Sequence, residues 1–148
     1  MENQANQPIV FRFEELRVYD KAMDYFLWAN SVTENFGDYH REIIGMPLLE
    51  SARHISVRIA EGSSRNKAQF VNSLRNAKIS IRQCVTLSTL AHRLELLSEE
   101  DYLASKERLF EIMKMVSALI SSIQRKGSSQ SSSQSDSSSR SDQPNLKY

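Results

Sequence analysis

The amino-acid sequence predicts an all-α protein, an antiparallel up-down four-helix bundle that ends in a disordered Ser-rich C-terminal tail. Three observations favour this fold class. Apolar residues recur at helical spacing in four successive segments, the few glycines and prolines fall between those segments, and no useful stretch alternates with period two. Because the connections between the segments are short, the four helices pack best as an up-down bundle.

The composition divides the chain into three parts. Residues 1–12 are polar and include Pro8, which predicts a flexible N-terminus. Residues 13–126 carry the periodic apolar segments and form the predicted bundle. Residues 127–148 contain ten serines and almost nothing apolar. Such a segment cannot bury enough surface to offset the entropy of ordering it, so we predict a disordered tail.

The sequence indicates a cytoplasmic protein. The first residues have neither the basic start nor the apolar run of a signal peptide, and no segment has the roughly 20 apolar residues that span a bilayer. Cys84 is the single cysteine, so an internal disulfide is excluded and nothing argues against a reducing compartment. We therefore expect no association with a membrane.

The first two helices are predicted from their apolar faces and their stop signals. The first covers residues 14–35 and ends before Gly37, with a short helical turn after it. The second begins near Pro47, whose fixed φ suits a first helical position, and stops at Gly62. Val57 lies on the far side of this helix from its apolar arc, which indicates a contact with another subunit.

The third helix is predicted over residues 66–97, where Asn66 and Gln69 have the spacing of a capping box. It carries two apolar stripes displaced by roughly half a turn, and a helix that is apolar on two sides needs cover on two sides. This pattern predicts a homo-oligomer. The fourth helix is predicted to open at Ser98, with Asp101 at the capping-box position. The expected residues of the oligomer interface are Val57, Ile79, Leu87 and Leu90.

The sequence contains no pattern typical of an enzyme. Its glycines stand alone, so no phosphate-binding loop is formed, and His40, His54 and His92 lack the spacing of a shared metal site. We expect Cys84 to be a small buried residue and His92 to be held by a hydrogen bond. We therefore predict a non-catalytic protein with no metal, no cofactor and no small-molecule substrate.

The net charge is only +1, but the charges are unevenly distributed. Residues 11–50 carry four basic and eight acidic residues, a balance of −4, whereas residues 51–82 carry seven basic residues and one acidic residue, a balance of +6. The cations of the second and third helices recur at helical spacing and predict a strip suited to phosphates. This basic strip consists of Arg58, Arg65, Lys67, Arg75, Lys78, Arg82 and Arg93, with His54 beside it.

Two interpretations of the basic strip stay open. In the first, it binds nucleic acid, and structured RNA or a ribonucleoprotein is the expected partner. In the second, it is a solvated face that pairs with the acidic first helix, and the chain is a protein–protein adaptor without a nucleic-acid role. No sequence signature of a known RNA-binding module accompanies the charge.

Four short motifs resemble those of one known family, in the same order. Residues 13–22 (FEELRVYDKA) are similar to its opening FEDLxVWQKA, and residues 59–65 (IAEGSSR) to its IAEG-x-x-R turn. Residues 70–77 (FVNSLRNA) resemble its FxRFLxxA helix, and residues 94–98 (LELLS) resemble its closing pattern. This is the four-helix bundle family associated with intervening sequences in bacterial 23S rRNA genes, and the resemblance covers residues 13–124.

The resemblance implies an up-down bundle that assembles as a ring-like homopentamer. It also points to related accessory proteins of diversity-generating retroelements, which are basic pentamers that bind a reverse transcriptase and its RNA. The chain departs from the commoner family pattern by having HISVRIAEG in place of SIPANIAEG, and Gln83 in place of Glu. His54 and Arg58 make this segment more cationic, which moves it towards the retroelement relatives. The resemblance therefore implies further copies of the chain, RNA and a reverse transcriptase as partners.

Overall fold

The computed structural model describes residues 7–128, and it confirms the predicted all-α fold. A short 3-10 turn, Arg12–Glu15, leads into the first helix, and a helical turn, Asp38–His40, with a π-helical turn, Arg41–Gly45, leads into the second. The described part of the chain contains no strand. The four long helices are α1 (Arg17–Thr33), α2 (Met46–Ser63), α3 (Lys67–Arg93) and α4 (Glu99–Ser128).

The four helices are arranged in a closed cycle. Helix α1 packs against α2 and α4, and α3 packs against the same two helices, so that α1 and α3 lie diagonally across the bundle. The hydroxyl groups of Tyr25 and Ser105 lie 2.9 Å apart in the core and join α1 to α4. No helix among residues 7–128 is long and apolar enough to cross a membrane. The largest fully buried side chains at the centre are Tyr25, Leu48, Ile55, Ile59, Leu74, Ile81, Leu109 and Ile112.

The starts of α3 and α4 are confirmed by their caps. The backbone amide of Gln69 donates a 2.9 Å hydrogen bond to Oδ1 of Asn66. The backbone amide of Asp101 donates a 3.1 Å hydrogen bond to Oγ of Ser98. Each side chain satisfies one of the amides that the first turn of a helix leaves without a partner, and this local bonding explains why both starts could be predicted.

Helix α2, Met46–Ser63, begins and ends within one residue of the predicted start near Pro47 and the predicted stop at Gly62. The backbone is already helical from Asp38, so Pro47 is not the first helical residue. The π-helical turn lies directly before Pro47, at the place where a proline ring clashes with the carbonyl group four residues back. Gly62 does not stop the helix, which continues to Ser63, and its φ angle is not positive. Its role is one of packing against α3.

The ends of the other helices also differ in detail. Helix α1 ends at Thr33, and α3 ends at Arg93, four residues earlier than predicted. Helix α4 runs to Ser128, two residues beyond the predicted end of the bundle. The rest of the predicted Ser-rich tail, residues 129–148, lies outside the described residues, as do residues 1–6 of the predicted flexible N-terminus.

Candidate nucleic-acid interface

The clearest concentration of charge in the bundle is on α3. This helix contains five Lys or Arg residues and no acidic residue. Arg75, Lys78 and Arg82 lie together on it, and we refer to these three residues as the α3 cation cluster. Partial burial lowers the pKa of Lys78, and the neighbouring guanidinium groups of Arg82 and Arg75 lower this pKa further. The cluster therefore holds three like charges close enough to interact.

The structure does not place the α3 cation cluster against acidic side chains of the first helix. Because α1 and α3 are diagonal, the carboxylates of α1 have no packed surface in common with the cluster. In the ion pair that α1 does form, Lys21 is the cation, and its Nζ atom lies 3.4 Å from a carboxylate oxygen of Glu111 on α4. Between residues 7 and 128, none of the ion pairs involves a member of the α3 cation cluster.

The remaining cations of the predicted basic strip lie apart from this cluster. Arg65 and Lys67 are exposed at the connection between α2 and α3. Arg93 is at the opposite end of α3, about 40 Å from Lys67 along the helix axis and about 16 Å from Arg82. Arg58 on α2 forms a 3.4 Å ion pair with Glu61, which offsets part of its charge. The strip is thus one compact cluster with separate cations at either end of the helix.

A groove of about 610 Å³ runs between α2 and α3 on the outside of the bundle. Arg82 lines it from α3 and His54 lines it from α2, so the structure brings His54 to the edge of the α3 cation cluster. Glu50 is the acidic residue in its lining, and Ile79 and Leu87 form part of its apolar wall. The groove gives a ligand bound at Arg82 room to extend towards α2.

A second set of basic and aromatic side chains lies on α4, and the charge pattern of the sequence did not predict it as a site. Tyr102, Lys106, Phe110 and Lys114 follow one another at intervals of four residues and form one ridge of the helix. The ammonium group of Lys106 lies 5.2 Å from the ring centroid of Tyr102, and that of Lys114 lies 5.0 Å from the ring centroid of Phe110. We call these four residues the α4 aromatic–lysine ridge. Their regular spacing was visible in the sequence.

His92 of α3 connects the two helices at one end of this ridge. Its ring is stacked on Tyr102, with centroids 4.4 Å apart and planes 10° apart, and its Nε2 atom lies 2.7 Å from a carboxylate oxygen of Glu99. The prediction that a polar partner holds His92 is confirmed. The neighbouring hydroxyl group of Thr89 and the nearby ammonium group of Lys106 lower the pKa of Tyr102. The phenol group of Tyr102 therefore lies in a cationic setting.

The predicted interface residues divide into two groups. Val57, Ile79 and Leu90 are exposed, as a contact with another subunit requires. Leu87 is half-buried and packs against the core, so part of its apolar surface is already covered within one chain. Cys84 is buried as predicted, and burial raises the pKa of its thiol to about 12. In the part of the chain that the structure describes, no three His, Cys, Asp or Glu residues are grouped to hold a metal ion.

Comparisons with known proteins agree with this architecture. The sequence profile of a family described as 23S rRNA-intervening sequence protein matches residues 14–118. A crystal structure of a protein with unknown function from the S23 ribosomal protein family of Bacteroides thetaiotaomicron is similar, with a TM-score of 0.65 and 22% identity. The similarity covers 70% of this chain and 95% of that chain. None of the curated proteins matches the chain.

Proposed function

The chain belongs to the 23S rRNA-intervening sequence protein family, and from this premise we propose that it is a non-catalytic, homo-oligomeric scaffold that binds structured RNA. The RNA is free or part of a ribonucleoprotein such as the reverse transcriptase complex of a retroelement. The observation that carries this proposal is the α3 cation cluster, three adjoining cations without an ion-pair partner among the described residues. The number of copies, five, comes from the family resemblance.

The three cations of the α3 cation cluster repel one another. Arg75 and Arg82 both disfavour the charged form of Lys78, so the three cations raise each other's electrostatic energy. A ligand with closely spaced negative charges relieves this repulsion. Phosphate groups of nucleic acid supply that spacing, and their binding to Lys and Arg releases condensed counterions. Since α3 has no carboxylate of its own, nothing on this helix competes with the phosphates.

A protein–protein adaptor without a nucleic-acid role is the second candidate. The exposed apolar side chains Val57, Ile79 and Leu90 favour it, because exposed apolar surface on a bundle is typical of a protein contact. The two candidates differ over the α3 cation cluster. In an adaptor the cluster is a solvated surface that contacts no phosphate, whereas in an RNA-binding scaffold its removal weakens binding.

The test replaces Arg75, Lys78 and Arg82 together by Gln and measures RNA binding by fluorescence anisotropy across a series of salt concentrations. We expect weaker binding to structured RNA. We also expect a shallower slope of log affinity against log salt concentration, by the amount that corresponds to the loss of about two to three phosphate contacts. Gln keeps the helix propensity and most of the side-chain stem, so the free energy of unfolding changes by less than about 1 kcal/mol. The helical circular dichroism signal stays intact.

A matched control removes the same charge from other surfaces. Replacing the exposed residues Arg12, Arg17 and Arg53 by Gln also lowers the net charge by three, but leaves α3 untouched. We expect this control to bind RNA nearly as tightly as the parent. Equal losses in the two triple variants contradict a localised binding surface. An affinity no tighter than millimolar for every RNA tried, at about 0.1 M salt, decides for the adaptor.

A further inference from the structure

The α4 aromatic–lysine ridge lies beside α3 and has a chemistry of its own. We propose that this ridge binds unpaired nucleotides of an RNA, one of whose bases stacks on Phe110 while Lys106 and Lys114 contact the phosphates. This inference rests on the proposed function, and it deepens that function by giving the class of RNA segment, single-stranded, and the residues that recognise it.

The first step is exposure. Phe110 is 54% exposed on α4. A large aromatic ring left in water has free apolar surface, and a flat face of this kind accepts a base by stacking. The ammonium group of Lys114 lies beside this ring, 5.0 Å from its centroid.

The second step is the alternation of rings and cations. Lys106 lies over Tyr102 and Lys114 lies over Phe110, so each aromatic residue of the ridge has an ammonium group beside its ring. The buried centre of a protein–protein contact is depleted in lysine, which argues against a protein as the occupant. Proteins that bind single strands combine cations that track the backbone with aromatic rings that stack on the bases. The ridge has both components at regular spacing.

The third step is the position of the ridge relative to the α3 cation cluster. The stack of His92 on Tyr102 fixes the register of the antiparallel helices α3 and α4. Phe110 lies about 12 Å along α4 from Tyr102, and Arg82 lies about 15 Å back along α3 from His92. Phe110 and Arg82 are therefore at similar heights on adjacent helices. An RNA whose paired part contacts the cluster has its adjoining unpaired nucleotides within reach of the ridge.

The experiment uses the full chain with two fluorescent RNAs, a single-stranded oligoadenylate of ~12 nucleotides and a duplex of equal length. We expect Phe110→Ala to weaken binding of the single strand roughly tenfold, because one base loses its stacking partner. Binding of the duplex stays unchanged, and so does the salt dependence, since no cation is removed. Leu103→Ala is the matched control, because Leu103 is 53% exposed on the same helix but is not aromatic.

Two further variants separate stacking from folding and from apolar contact. Phe110→Leu keeps an apolar side chain without a ring, and we expect it to bind the single strand as weakly as Phe110→Ala. Phe110→Trp restores binding, and its added fluorescence is quenched when a base stacks on it. The parent, whose single tryptophan is Trp28 on α1, gives the baseline for this signal. Circular dichroism and light scattering establish that each variant keeps its fold and assembly.

The outcomes distinguish this inference from the proposed function. If Phe110→Ala and Phe110→Leu bind the single strand as tightly as the parent, while the α3 triple Gln variant loses RNA binding, the ridge is not an RNA site and the scaffold function stands. Equal losses for the single strand and the duplex also overturn base stacking. If the parent binds structured RNA but not the single strand, only the ridge proposal is wrong, and if it binds no RNA tried, both proposals are wrong.

Discussion

Packing, and not backbone conformation, explains why residue 62 is a glycine. A Cβ atom added to Gly62 lies 2.6 Å from Cβ of Ser73 and 2.9 Å from Cδ2 of Phe70, both on α3. Contacts this short force a shift of the neighbouring backbone, since the Cβ atom of Ser73 is not the end of a flexible side chain. The glycine of the IAEG motif therefore allows α2 and α3 to approach closely near their connection.

We predict that Gly62→Ala destabilises the protein by up to about 2 kcal/mol in urea unfolding. Overpacking of a tight contact costs roughly 1–3 kcal/mol, and the better helix propensity of Ala offsets about 1 kcal/mol of this. Gly127→Ala is the control, because no atom lies within 4 Å of an added Cβ there and only the gain in propensity remains. A Gly62→Ala variant as stable as Gly127→Ala contradicts the close-contact explanation.

The junction between α3 and α4 depends on a backbone conformation that the sequence does not signal. After the last turn of α3, the amide of Leu96 donates to the carbonyl of Ala91 at 2.9 Å and the amide of Glu95 donates to that of His92 at 3.0 Å. This pair of hydrogen bonds is a Schellman motif, in which glycine usually occupies the left-handed position. Here Glu95 occupies it, with a φ angle of 60°.

We predict that Glu95→Gly stabilises the protein by up to about 1 kcal/mol, seen as a higher Tm. A left-handed conformation costs a non-glycine residue roughly 1–2 kcal/mol, and the greater freedom of glycine in the unfolded chain takes back part of the gain. Glu95→Ala is the control, because it removes the same unfavourable charge at the helix C-terminus but keeps the Cβ atom. If Glu95→Gly is no more stable than Glu95→Ala, the left-handed conformation carries no strain.

These elements explain how far the sequence could predict the fold and the site. The starts of α3 and α4 were predictable because Asn66 and Ser98 cap their helices through local hydrogen bonds. The end of α3 was not, since Glu95 adopts a conformation that sequence patterns assign to glycine. The α3 cation cluster was predictable because helical spacing groups residues of one helix. The contacts of His92 with Tyr102, and of His54 with the groove at Arg82, require knowledge of how the helices pack.

At the scale of the whole molecule, the exposed apolar side chains of α2 and α3 predict self-association. Val57 on α2 and Ile79 and Leu90 on α3 are exposed on neighbouring helices of the bundle, which leaves their apolar side chains available to a second copy. Burial of such surface supplies the main driving force for association between subunits. We therefore predict that the parent is an oligomer in solution at micromolar concentration, and five copies are expected from the family resemblance.

The prediction is tested by the double substitution Ile79→Glu and Leu90→Glu, followed by light scattering. Two carboxylates in an apolar contact lose hydration without gaining a partner, so we expect a folded monomer of 17.0 kDa. Leu27→Glu is the control, because Leu27 is more exposed than Ile79 or Leu90 but lies on α1, which is diagonal to α3. Leu87 is unsuitable for this test, since it packs against the core and a charge there disturbs folding.

Assembly and RNA binding are coupled if several copies contact one RNA. A ring presents one α3 cation cluster per copy, and linked sites bind a long RNA more tightly than any single site does. The monomeric double Glu variant is therefore expected to lose much more affinity for a long RNA than for a short oligonucleotide that reaches only one copy. The short oligonucleotide is weakened only by the new carboxylate at position 79, which lies in the groove beside Arg82. A stable monomer for the parent contradicts the apolar contact itself, whereas a clean dimer or tetramer contradicts only the number five.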